Sequence, residues 1–301
     1  MTTTVQKQLT LLRHDPKAPS SVPGGHSIRI VDEPKLNIAT HGNNLFVLTT
    51  ATCLVEVAKF VSTANRRNQL RALFVRCDVD AAWLPQMFEL ANLRTMRNTI
   101  VHSDFRVPWR VLLAWQAGAQ RELIADARIS GDEIFVVSCE PEIYRIPVAS
   151  IPALRKMPVG ERSNFRLAED GSYLHWPAQD VHLDLDALLT AIDPERRKRA
   201  DKVKRAYGQH YGEAVASLRV GKGLRQDDIA GLSDREVRRI ERGGQATINS
   251  FQRLAAAHKM GLSEYLNEVA ALAGGPEAKI VEDRSLGARS SEASYRVRKR
   301  K

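Results

Sequence analysis

The chain has 301 residues with 43% hydrophobic content, long enough for two or three domains with real cores and too apolar for a disordered chain. Its 45 Lys and Arg against 35 Asp and Glu leave a formal net charge of +10, which fits a polyanionic partner. The 3 cysteines, Cys53, Cys77 and Cys139, are odd in number and far apart, which excludes a disulfide framework, offers no metal-ligand spacing and suits a reducing cytoplasm.

Residues 1–37 contain a Pro/Gly/Ser patch, Pro16 to Gly25, and read as an irregular arm. Residues 38–122 read as a helix-rich domain, because Leu45 to Val61, Ala81 to Val101 and Val111 to Ile124 show helical periodicity. The most apolar segment, Leu45 to Phe60, is interrupted by threonines, Glu56 and Lys59, which predicts a core helix and not a membrane span. No signal peptide is recognisable, and a cytoplasmic protein is expected. In the stretch Leu93 to His102, Arg97, Asn98 and His102 resemble the motif of the HEPN ribonucleases. That resemblance implies Arg97 on a scissile phosphate and His102 in acid–base chemistry, provided a long helix ends near Ile100 so that the two converge. The alternative reading makes Arg97 a solvated cation and His102 a partner of the helix dipole.

Residues 123–192 read as a small α+β domain. Ala127 to Ser138 is a turn followed by a β-branched run, Tyr144 to Val148 its partner strand, and Phe165–Leu167 and Tyr173–Trp176 flank a turn at Asp170-Gly171-Ser172. Val181 to Ile192 reads as a short strand and a helix. Ile146-Pro147-Val148, Ile151-Pro152-Ala153-Leu154, Glu161-Arg162-Ser163-Asn164, Gly171, His175-Trp176-Pro177, Asp180 and Leu188-Leu189 together resemble the bacterial unknown-function family two-four-four-two. The resemblance implies a β-rich fold with a terminal helix, and a role in regulation or partner binding. His175 and Trp176 read as structural residues of this sheet.

A basic linker, 193–205, precedes the segment that carries the functional expectation, 206–275. Tyr207, Tyr211, Val215 and Leu218 repeat at helical spacing. Gly223 to Gly243 reads as two short helices joined by a tight turn. Ser233 and Glu236 form a capping box, Leu232 and Val237 a hydrophobic staple, Val237 and Ile240 the buried stripe, and Gly243-Gly244 the stop. At 100° per residue, Arg235, Arg238, Arg239 and Arg242 occupy the face opposite Val237 and Ile240. Downstream, Thr247 or Asn249 caps a helix with Phe251, Leu254 and Ala255 inward, Lys259 in its last turn and Gly261 past its end. Ser263 opens a last helix through Leu266 and Val269.

Leu224-Arg225-Gln226, Asp228-Ile229-Ala230, Ser233, Val237, Arg239-Ile240-Glu241-Arg242-Gly243, Phe251, Leu254-Ala255, His258 and Gly261-Leu262-Ser263 resemble the Cro/repressor-like helix-turn-helix family of the xenobiotic-response-element type. The spacing between Ala230 and Ser233 is about three residues short of the family pattern, which predicts a first motif helix shorter by about a turn. The resemblance implies an all-α, five-helix, lambda-repressor-like domain with its second motif helix in the major groove. By position it implies Asp234, Arg235 and Arg239 as base-reading residues, and Arg225, Gln226, Arg238 and Arg242 as phosphate contacts; Gln226 alternatively braces the recognition helix, and Asp234 alternatively orients Arg238.

The expectation is an α+β multidomain protein with a polar, basic tail at 276–301, acting as a sequence-specific DNA-binding regulator, not an enzyme. Double-stranded DNA is the expected partner, a homodimer the expected form, and a protein partner is open for the first two domains. No cofactor, metal or membrane is implied. Two alternatives remain: an antitoxin-like autorepressor of a toxin–antitoxin or defence cassette, and a HEPN-like ribonuclease using Arg97 and His102.

Overall fold

The computed structural model describes residues 8–25, 28–32 and 43–273, which fall into two compact units divided after Pro194. The tail at 276–301 lies outside the described residues. Among the described residues, no helix is long and apolar enough to cross a membrane.

The first unit corrects the expectation of an irregular arm followed by a helical domain. Strands β1 (Leu9–His14) and β2 (Ile28–Val31) lie within residues 1–37. They join β3 (Leu45–Thr50), β4 (Leu70–Arg76) and β5 (Thr99–His102) in one five-stranded parallel sheet, order β2-β1-β3-β4-β5. The physical reason for the misreading is visible in β3, whose six residues are all buried. A parallel strand covered on both faces reads as an unbroken apolar run, and periodicity does not separate it from a buried helix. Helix α1 (Leu54–Arg66) begins only after Cys53. The expected helix Ala81–Val101 divides into a 3-10 turn at Ala81–Trp83, helix α2 (Leu84–Leu90) and β5. Helix α3 (Arg106–Ala117) stops at Gly118, whose φ of 74° is left-handed, so Ile124 is free to open the next strand.

Alternation along the strands builds two cores. Leu9, Leu11, Phe46, Leu48, Phe74 and Ile100 pack with Trp109, Val111 and Leu112 of α3. Leu12, Leu45, Val47, Leu73 and Val75 pack with Leu54, Val57 and Val61 of α1 on the opposite face.

An antiparallel meander follows: β6 (Ile124–Ser130), β7 (Glu133–Ser138) and β8 (Ile143–Pro147). After the short helix α4 (Pro152–Arg155), β9 (Arg166–Leu167), β10 (Leu174–Trp176) and β11 (Val181–Leu183) form a second antiparallel sheet, closed by α5 (Leu185–Ile192). Trp176 is fully buried at the centre of this core, and its Nε1 donates to the Arg162 carbonyl at 2.8 Å. His175 lies opposite His182 across the β10–β11 pair, the two rings stacked at 4.1 Å. Gly171 is required where it stands: its φ is 81°, and a Cβ would meet the Ile124 carbonyl oxygen at 2.3 Å.

The second unit is helical. The expected basic linker 193–205 is a second correction, because α6 (Pro194–Gly221) runs unbroken through it. Arg, Lys and Ala are good helix formers, so a basic run without Gly or Pro extends a helix as readily as it links domains. Then come a 3-10 turn at Gln226–Asp228, α7 (Asp234–Glu241), α8 (Ile248–Ala257) and α9 (Leu262–Leu272). Val215, Leu218, Ile229, Val237, Ile240, Leu254, Tyr265 and Val269 form its core.

Candidate nucleic-acid interface

The short helix α7 is fixed at both ends by its own sequence. Ser233 is the N-cap, its Oγ accepting from the Glu236 amide at 3.2 Å. The reciprocal half of the expected capping box is not made; Glu236 Oε1 instead accepts from Ser250 Oγ of α8 at 3.2 Å. The helix ends in a Schellman motif: Gly243 N–H donates to the Ile240 carbonyl and Gly244 N–H to the Arg239 carbonyl, both at 2.9 Å, with Gly243 at φ 85°.

Between these ends, Val237 and Ile240 are buried, while Arg235, Arg238, Arg239 and Arg242 are exposed. The four arginines span an arc of about 100° on the side of the helix away from that stripe. Among the described residues, Arg235 and Arg242 make no ion pair, which leaves both guanidinium forks open to a ligand. Asp234 lies 3.8 Å from Arg238, the orienting contact considered from the sequence. Arg239 Nη1 donates to the Gln245 carbonyl, and its Nη2 lies 3.9 Å from Glu236. Arg225 is exposed beside α7's neighbouring turn and pairs with Asp227 at 2.7 Å.

Residues behind α7 hold its angle. Arg219 of α6 donates to Glu241 from Nε at 2.5 Å and Nη2 at 3.3 Å, and from Nη1 to the Leu224 carbonyl at 2.6 Å. Both side chains of this pair are about nine-tenths covered, at 11% and 8% exposure. Gln226 Nε2 donates to Glu241 Oε2 at 2.5 Å, and its Oε1 accepts from Arg238 Nε at 3.4 Å. Gln226 therefore braces α7. The helix expected before Ser233 does not form: Gln226–Asp228 make a three-residue 3-10 turn, held by Asp228 accepting from the Arg225 amide at 2.6 Å, so the described residues of this unit hold four α-helices and not the expected five.

Two features of this scaffold went unread in the sequence. Gly208 and Gly212 let α6 cross the end of α7 at backbone contact: a Cβ on Gly212 would lie 2.4 Å from the Glu241 carbonyl oxygen, and one on Gly208 2.8 Å from that of Gly243. The signal was the repeat of an aromatic followed by glycine at Tyr207-Gly208 and Tyr211-Gly212. Arg219 stands on the same helical stripe as Val215 and Leu218, which marks a cation facing the core. Of the residues that repeat at helical spacing, Tyr211 packs edge-on against Phe251 at 5.9 Å, whereas Tyr207 is 46% exposed.

Downstream, Thr247 Oγ1 caps α8 by accepting from the Ser250 amide at 3.1 Å. Lys259, not Gly261, takes the left-handed position after α8, at φ 58°. Gly261 instead precedes α9, which starts at Leu262.

The nuclease constellation is not assembled. Arg97 lies in a bend before β5, and His102 ends that strand. A strand advances about 3.3 Å per residue, which sets the two near opposite ends of β5. His102 is buried at 4% exposure, its Nδ1 3.2 Å from the Asp104 carbonyl oxygen, and burial pushes its imidazole down to about 4. It is a neutral core residue facing Phe74 and Phe105.

Residues 124–194 match the family described as "Protein of unknown function (DUF2442)", which coincides with the two antiparallel sheets and α5. No curated protein and no solved structure matches the chain.

Proposed function

We propose that the chain is a sequence-specific DNA-binding transcriptional regulator whose C-terminal helices act as a helix-turn-helix of the Cro/repressor-like kind. The observation that carries this reading is α7: a capped, braced helix with Val237 and Ile240 inward and four arginines outward. A helix of this width fits the major groove of B-DNA, and arginine pairs bidentately with the O6 and N7 of guanine. Arg235 and Arg239 read bases, with Asp234 at the positive end of the helix either accepting from cytosine or steering Arg238. Arg225, Arg238 and Arg242 contact phosphate, and Gln226 sets the helix angle. The basic first turns of α6 and the chain's net charge of +10 add attraction that is independent of sequence. A homodimer reads two half-sites about one helical turn apart.

The test contrasts two substitutions on the preferred site. Arg235→Ala costs about 1–3 kcal/mol and relaxes preference at one base position. Arg242→Ala weakens all sequences alike and lowers the salt slope by about 1. Equal loss on every sequence for Arg235→Ala would remove it from the base-reading set.

A further inference from the structure

The parallel sheet of the first unit contains a crevice that the DNA-binding reading does not use. Strands β1 and β3 are neighbours, yet the chain leaves β1 for one edge of the sheet and β3 for the other. The connections diverge above their carboxyl ends, and open α/β sheets hold their ligands at such a reversal. Here the crevice has a volume of about 470 Å³, with Arg13, His14 and Asp15 from the end of β1, Asp32 after β2, and Cys53 and Glu56 from the start of α1.

We infer that His14, Cys53 and Glu56 form a binding site for a divalent zinc-type ion in this crevice. One donor atom from each of the three lies within 4.8 Å of the other two, and His14 Nε2 is 3.0 Å from Glu56 Oε2. Metal bonds of about 2.0–2.3 Å in a tetrahedron put ligand atoms roughly 3.3–3.7 Å apart, so small side-chain rotations close the set. Imidazole, thiolate and carboxylate are all zinc ligands, and the sulfur selects against magnesium and calcium. Three protein ligands leave the fourth position open toward the crevice, the pattern of a reactive rather than a purely structural site.

The surroundings suit a cation. Two guanidinium groups that bear on the crevice are paired: Arg13, in its lining, with Asp32 at 2.7 and 3.0 Å, and Arg76 with Asp15 at 2.6 and 3.0 Å. Glu56 is therefore left to His14 and to an ion. Cys53 is the N-cap of α1, and its backbone amide is fixed by donating to Thr50 Oγ1 at 3.2 Å. His14 ends β1 while Cys53 and Glu56 open α1 much further along the chain, so no short sequence spacing announces the three together. The other His/Asp group, His175, Asp180 and His182, sits on the exposed β10–β11 hairpin outside this crevice and serves as the control.

The experiment uses the full chain, stripped with a chelator and titrated with Co²⁺ and then Zn²⁺. One tight equivalent is expected, with a near-ultraviolet cysteinate-to-cobalt charge-transfer band. Cys53→Ser abolishes the band, and His14→Ala and the conservative Glu56→Gln each weaken binding at least about tenfold. His175→Ala with His182→Ala leaves both band and stoichiometry unchanged. Far-ultraviolet circular dichroism confirms that each variant is folded, and Glu56→Gln, at an exposed side chain, keeps the test open if Cys53→Ser does not fold. No band in the unmodified protein, a band that survives Cys53→Ser, or unaltered binding by folded Glu56→Gln would each overturn the site.

Discussion

Gly212→Ala is the sharpest probe of how α7 is held. In an ordinary helix interior this change stabilises by about 1 kcal/mol, because alanine has less backbone entropy to lose. At Gly212 the added Cβ would stand 2.4 Å from the Glu241 carbonyl oxygen and 2.6 Å from the Gly243 amide nitrogen. Both partners are backbone and cannot rotate away, so α6 and the end of α7 must separate by about 1 Å to reach ordinary contact, and overpacking of this kind costs about 1–3 kcal/mol or more. Separation also strains the Arg219–Glu241 pair and the Schellman turn at Gly243. The expected net loss is about 2 kcal/mol, which is roughly thirtyfold faster exchange of amides protected by that packing. Gly221→Ala is the matched control, since a Cβ there meets nothing within 4 Å. It is expected to be neutral or to stabilise by up to about 1 kcal/mol. Hydrogen-exchange mass spectrometry on peptides covering 233–244 reads both. Unchanged or slower exchange in Gly212→Ala would refute the backbone crossing of α6 over α7.

Further expectations concern buried charge. Glu241→Ala strands the Arg219 guanidinium in the core and is expected to cost about 3–5 kcal/mol, whereas replacing both residues by leucine costs less than that single change; additive losses in urea titrations would show that the pair does not act as a unit. His102 is neutral in the fold, with its imidazole pushed down to about 4 from an ordinary 6.5. The unfolded chain therefore takes up the proton first: this group's contribution is complete above the ordinary value and falls by about 1.4 kcal/mol per pH unit below it, approaching 3 kcal/mol near pH 4. His102→Gln should flatten that part of the urea-midpoint profile, and an unchanged slope would place the titrating group elsewhere. Asp15 is subject to burial, which pushes its carboxyl up, but Arg76 and the Lys17 amide outweigh this and hold it low. Its contribution is present above the ordinary carboxylate range and is lost as pH falls through the depressed value, so Asp15→Asn should reduce stability at neutral pH and narrow the difference from unmodified protein in strong acid.

The parts legible in the sequence were those whose signals are local. Ser233, Val237, Ile240 and Gly243-Gly244 lie within a dozen residues: Ser233 and the two glycines act on backbone groups a few positions away, and Val237 and Ile240 mark the buried stripe by their spacing. The strand–turn–strand of β6 and β7 was readable for the same reason, through Gly131 and the β-branched run after it. The parallel sheet was not, because its pairings are non-local and β3 is covered on both faces, erasing the alternation that marks a half-exposed strand. The crevice at the β1–β3 reversal was invisible on the same ground: His14 and Cys53 meet only because β1 and β3 pair. The helical state of 195–205 was missed since a charged run without a breaker does not distinguish linker from helix. On α7, spacing identified which arginines face outward, while the Arg219–Glu241–Gln226 bracing needed three-dimensional packing to appear.

Whether α7 reads DNA sequence is decided by selection of sheared genomic DNA on the whole chain at physiological salt, beside the Arg235→Ala, Arg239→Ala double variant. A sharp, two-half-site motif that disappears in the double variant is the predicted result. Diffuse recovery of DNA, or a motif that the two substitutions leave intact, would contradict it.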